Sequence, residues 1–175
     1  MSIVSNVRRG SRLGLAVAGG LAFLPPLLTR LLMGEAFFLT GRGKLADFDH
    51  TVQFFTSLGI PMPELNAAFI SRLEYYGGIA LVLGLLTRLT AAGLASTMVV
   101  ALATAEKESF LDALRLSGEQ GPTDVVPLVY LIFLVWLVIN GPGAFSLDSS
   151  IARWLQRTLS AGDEAPKVAA EAIHA

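Results

Sequence analysis

R-L-E-Y-Y-G-G-I-A-L-V-L-G-L-L-T-R, residues 72–88, is an apolar run with one acid, Glu74, near its start and a basic stop at Arg88. Gly77, Gly78 and Gly84 lie inside it. A soluble core helix rarely holds a lone Glu beside this much Leu, Val, Ile and Gly. In a membrane helix the mixture has a reading. Small residues let a neighbouring helix approach, and the acid faces a partner or water instead of lipid. At 100° per residue Glu74, Gly78, Leu81 and Leu85 share one face, and Gly77 and Gly84 mark a second small-residue face beside it.

Composition supports that reading. The chain is 53% hydrophobic and 15% charged over 175 residues, with mean hydropathy +0.61. Soluble domains run nearer a quarter charged. The apolar residues come in blocks, which points to membrane spans. A net charge of −1 gives no electrostatic case for nucleic acid. With no Cys, this chain itself offers no thiol redox chemistry, thiolate metal site or disulfide. Its two His, His50 and His174, fall in a loop and a tail, so a bis-His haem between helices and an intramembrane metal site are not expected. Electrons, if the protein handles them, must ride on a diffusible carrier or a partner.

Working outward, Ala67 to Leu86 is the second of four expected transmembrane spans. The first runs from Pro25 to Thr40, with Pro25-Pro26 as its start and Gly41 and Gly43 as its end. It holds Arg30 and Glu35. Arg30 either snorkels to the interface or forms an intramembrane ion pair, with Glu74 as the expected partner. Glu35 lies deeper and must be paired, protonated or facing a cavity. The third span, Leu89 to Ala105, shows a small, weakly polar stripe of Gly93, Ser96, Thr97 and Thr104, read as packing and back-bonding to the helix. The fourth is Val125 to Asn140, with Pro127 in its first turn.

Three connections read as surface-lying amphipathic helices. One follows Asp49 or Thr51, as cap, with Val52, Phe55 and Leu58 at helical spacing. Asp47, Asp49 and His50 beside it match no closed metal site and read as a solvated loop. The second lies between Glu106 and Gly121. The third follows Asp148, with Ile151, Trp154, Leu155 and Leu159 on one side and Arg153 and Arg157 on the other, suited to an anionic membrane surface. The expected fold is therefore all-α: an integral membrane bundle of four transmembrane helices over residues 25–160. A basic and apolar lead-in precedes it (1–24, with Arg8, Arg9 and Arg12) and a disordered tail follows (161–175). Basic residues concentrate at the termini and at Arg88, which places both termini in the cytoplasm.

The ordered set Arg30-Leu-Leu-Met-Gly34, Gly41-Arg-Gly-Lys44-Leu, Leu58-Gly59-Ile60-Pro61, Leu73-Glu74 with Gly77-Gly78, Leu83-Gly-Leu-Leu-Thr-Arg88 and Gly141-Pro-Gly-Ala-Phe-Ser-Leu-Asp148 resembles the DoxX family of small four-helix membrane proteins, over about residues 27 to 155. Glu35, where an apolar residue is expected, and the long lead-in depart from the pattern. The resemblance implies the bacterial inner membrane, and either a membrane subunit of a quinone-linked oxidoreductase or membership of a redox or oxidative-stress complex. On the first reading a quinone sits between helices, with its head near Arg30, Lys44 or Glu74, and Glu74 or Glu35 relays the proton. On the second the chain is a non-catalytic accessory or assembly subunit packed on other membrane subunits. A small-solute transporter needs internal repeats, and no convincing repeat is present.

Overall fold

A computed structural model describes residues 19–115 and 121–174, with side chains followed as far as residue 160. The first 18 residues of the expected lead-in (1–24), with its three Arg, lie outside the described residues. The described chain is all helical and has seven helices: α1 Leu24–Ala46, α2 Phe48–Ser57, α3 Pro63–Leu83, α4 Thr87–Ala103, α5 Lys107–Arg115, α6 Val126–Asn140 and α7 Leu147–His174. Proline stands in the first turn of α1, α3 and α6, where a missing N–H costs nothing.

Helices α1, α3, α4 and α6 share one core of Met33, Phe37, Leu81, Ala91, Leu94, Leu134 and Leu137. The tightest pair is α1 with α3. They run antiparallel and touch through glycines: a Cβ on Gly34 would lie 2.8 Å from the Gly78 carbonyl oxygen, and one on Gly41 would run into the Tyr75 backbone amide. Small residues permit this approach, which gains dispersion along the whole seam.

Gly41 and Gly43 do not end α1, contrary to the sequence reading. The helix continues to Ala46, because Gly41 is needed inside it as the contact point with α3. The second span lies earlier than expected, from Pro63. It stops at Leu83, where Gly84 takes the left-handed conformation (φ 67°) that glycine adopts without strain. Helix α2 forms where an amphipathic helix was expected, but its cap is Asp47, not Asp49 or Thr51. It lays Thr51 and Phe55 inward. Helix α5 folds back on α4 and on the entry to α6 through Leu102, Ala113 and Val125. Helix α7 runs through the stretch read from sequence as a tail, and Ile151, Trp154, Leu155 and Leu159 stay exposed along it.

One described helix, Gly19–Ala46, is long and apolar enough by itself to cross a membrane. Helices α4 and α5 reach that standard only together, across an 83° bend, and α6 is apolar but short. Helix α3 has the length but carries Glu64, Arg72 and Glu74.

Candidate functional site

The antiparallel register of α1 and α3 decides which charges meet. Arg30, early in α1, comes opposite the end of α3. Glu74, in the middle of α3, comes opposite the end of α1, one turn from Gly41. The expected Arg30–Glu74 pair therefore does not form. Glu74 instead takes Lys44, whose Nζ lies 2.6 Å and 2.7 Å from the two carboxylate oxygens. Glu74 is 2% exposed and Lys44 is 32% exposed, so the acid is fixed inside while the ammonium stands between interior and surface. A buried carboxylate held this way loses several kcal/mol if its cation is removed.

The pair forms part of the wall of a cavity of about 100 Å³ between α2, α3 and α4. Phe55 and Leu58 close it from the α2 side, Ile70 comes from α3, and Met98 and Ala101 from α4. Thr97 and Thr104 also line it, but each hydroxyl donates to its own helix, to the Leu94 and Val100 carbonyls. The hydroxyls are thus spent on back-bonding, as the sequence suggested, and Lys44 and Glu74 supply the cavity's charge. A mostly apolar pocket with a few convergent polar groups suits the polar head of a small lipophilic molecule.

Arg30 does not reach the cavity. It is 1% exposed and donates through Nη2 to the Phe145 carbonyl, which ties α1 to the exit from α6. Its Nε and Nη1 have no hydrogen-bond partner, and Asp148 is a charged neighbour. Asp148 has a second task that the sequence did not reveal. Its two carboxylate oxygens accept from the Leu86 amide at 2.7 Å and the Thr87 amide at 2.8 Å, capping α4. Gly84 leaves no room here for a side chain, since a Cβ would overlap the Arg30 guanidinium. Three motifs far apart in sequence thus converge on one polar latch: Arg30, the Gly84–Thr87 turn and Ser146–Asp148. The only advance signal was their joint presence.

Glu35, the other candidate acid, is neither in the latch nor at the cavity. It is exposed on the outer side of α1. Of the four site residues expected from sequence, the structure brings together two, Lys44 and Glu74; Asp148 and the cavity-lining Met98 were not among them.

The sequence model of the DoxX family matches residues 26–107. "Inner membrane protein YqjF" of Escherichia coli is 32% identical over 130 residues, covering 70% of this chain and 88% of the relative. "Uncharacterized membrane protein Rv3486" of Mycobacterium tuberculosis is 33% identical over 143 residues, covering 74% of this chain and 83% of the relative. "Putative oxidoreductase CatD" of Bacillus subtilis is 36% identical over 78 residues, covering 45% of this chain and 57% of that relative's length. No solved structure matches.

Proposed function

The chain belongs to the DoxX family of membrane proteins, and from that premise we propose that it is an inner-membrane subunit of a quinone-linked oxidoreductase, with the quinone head seated at Lys44 and Glu74. The observation that carries this reading is the buried ion pair in the wall of an otherwise apolar cavity. On this reading α1, α3, α4 and α6 cross the bilayer over the domain 25–160, with α2, α5 and α7 lying at its surfaces and both termini in the cytoplasm.

The residues fit such a ligand. The walls are largely hydrocarbon, and Phe55 and Met98 offer soft surfaces for a flat face. A bound quinone would supply two-electron, two-proton acceptor chemistry. Lys44 and Glu74 are the residues that would hold its polar head: the Lys44 ammonium would donate a hydrogen bond to it, and Glu74 would serve as the group that exchanges a proton with it. The reductant is a partner's, because this chain has no Cys and only two His. The name of the Bacillus relative supports a redox setting.

The test is quinone binding by the protein reconstituted in lipid nanodiscs, with a short-chain ubiquinone and a short-chain menaquinone as probes. Glu74→Gln keeps the shape of the site and is expected to weaken binding about tenfold, the equivalent of one charge-assisted hydrogen bond. Ala101→Phe fills the chamber without touching the ion pair and is expected to block binding outright. Both variants should keep the helical circular dichroism of the parent. Undiminished binding in both would sink the assignment. A second reading, a non-catalytic subunit packed on a larger membrane complex, is favoured by a different observation, the outward-facing Glu35.

A further inference from the structure

Glu35 is the middle residue of α1, with about 16 Å of helix on either side. Its side chain is exposed, and among the described residues it has no ion pair or hydrogen bond. The packed face of α1 is Arg30, Met33, Gly34, Phe37 and Gly41. Roughly 180° away around the helix runs a second line of residues: Leu28, Leu32, Glu35, Leu39 and Arg42. Their spacing is four, three, four, three, the repeat of a helix-packing seam. Leu28, Leu32 and Leu39 are 52%, 62% and 46% exposed, and nothing in the fold covers them.

A carboxylate in the middle of a span cannot snorkel, because its side chain is far shorter than the distance to either interface. It must therefore meet a donor that comes to it. Within this chain Lys44 is already held by Glu74, and Arg42, about 10 Å along the same stripe, makes no ion pair with Glu35 among the described residues. A second copy of the chain is a poor occupant. Two copies inserted the same way up would set Glu35 against Glu35 and Arg42 against Arg42 across their twofold axis, opposing like charges twice. We infer that the Leu28–Arg42 stripe is the seat of a membrane-spanning helix from a different polypeptide, one with a Lys or Arg at mid-depth facing Glu35. The inference rests on the reading of α1 as a span and does not depend on the quinone assignment.

Because the chain has no Cys, single-Cys variants report cleanly. Leu32→Cys and Leu39→Cys, with Phe69→Cys on the outer side of α3 as the control, would be coupled to a benzophenone maleimide in native membranes, irradiated and mapped by mass spectrometry. Positions 32 and 39 are expected to join one and the same polypeptide, in a transmembrane segment that contains Lys or Arg, while position 69 does not. Glu35→Leu should lower the yield about tenfold, the loss of one buried ion pair's worth of association. Glu35→Lys should abolish cross-linking, and Lys→Glu or Arg→Glu in the partner segment should restore it. Cross-links to a second copy, to lipid alone, or to a segment without a cation would overturn the inference, as would unchanged yield in Glu35→Leu. Ready labelling of position 32 by a water-soluble maleimide would overturn the membrane placement of α1 itself. Quinone binding at Lys44 and Glu74 should be untouched by every Glu35 variant, so failure of this interface and failure of the quinone reading are separable.

Discussion

Gly41 and Gly43 stand two residues apart in the same helix and do opposite things. Gly41 is pressed against the Tyr75 backbone, whereas nothing lies within 4 Å of the place where a Gly43 Cβ would sit. Gly41→Ala must push α1 off α3 and should destabilise by about 1–3 kcal/mol, the range for overpacking a tight contact. Gly43→Ala should stabilise by about 0.5–1 kcal/mol, because it only removes backbone freedom from an exposed helix position. Thermal unfolding of the two variants in the same detergent checks both signs, and equal effects would mean the α1–α3 seam is wrongly placed. The sequence could not separate the two glycines. Both read as helix terminators on local propensity, and only the register of α3, which sets Tyr75 against Gly41, makes one of them indispensable. Lys44 and Glu74 were legible as candidates because a charge in an apolar run is costly wherever it lands. Their pairing was not, because it follows from the same register.

At the scale of the element, the α3–α4 turn shows how a break can be invisible in a hydropathy pattern. Residues 83–87 read as the continuous end of one span, yet Leu86 takes a left-handed conformation (φ 47°) that costs a branched residue strain. The capping carboxylate that repays this comes from Asp148, 62 and 61 positions away from the amides it binds. No window centred on residue 86 contains it. Asp148→Ala should therefore loosen the start of α4 by about 1–2 kcal/mol through the lost cap. It also removes a compensating charge from the neighbourhood of buried Arg30. Asp148→Asn, which keeps an acceptor for one amide, should fall between parent and Asp148→Ala. Hydrogen exchange at the Leu86 and Thr87 amides measures this directly, and unchanged protection in Asp148→Ala would remove the latch from the account. The extent of α2 was better signalled, since its apolar residues repeat at helical spacing within ten residues and need no distant partner.

At the scale of the molecule, charge is distributed unequally between the two ends of the bundle. The latch end carries Arg88, exposed and donating to the Ile139 carbonyl, and the basic side of α7 with Arg153 and Arg157. The end with α2 and α5 carries Asp47, Asp49, Glu64, Glu106, Glu108 and Asp112 against Arg42, Lys44, Arg72, Lys107 and Arg115. On the proposed topology the latch end is cytoplasmic, and the cavity, with its Lys44–Glu74 pair, would lie toward the outer half of the bilayer. Single-Cys variants decide it: Ser57→Cys after α2 and Lys107→Cys at the start of α5 mark one end, and Ser150→Cys on α7 marks the other. All three positions are exposed. A membrane-impermeant maleimide should label 57 and 107 but not 150 from outside intact cells, and label 150 but neither of the others in inverted vesicles. A reversed pattern would keep the four spans and turn the cavity toward the cytoplasmic leaflet, where a donor on that side could reach it. Labelling of all three positions from one side would mean that the helices do not cross, and a quinone dissolved in the bilayer would then have no lateral path to Glu74.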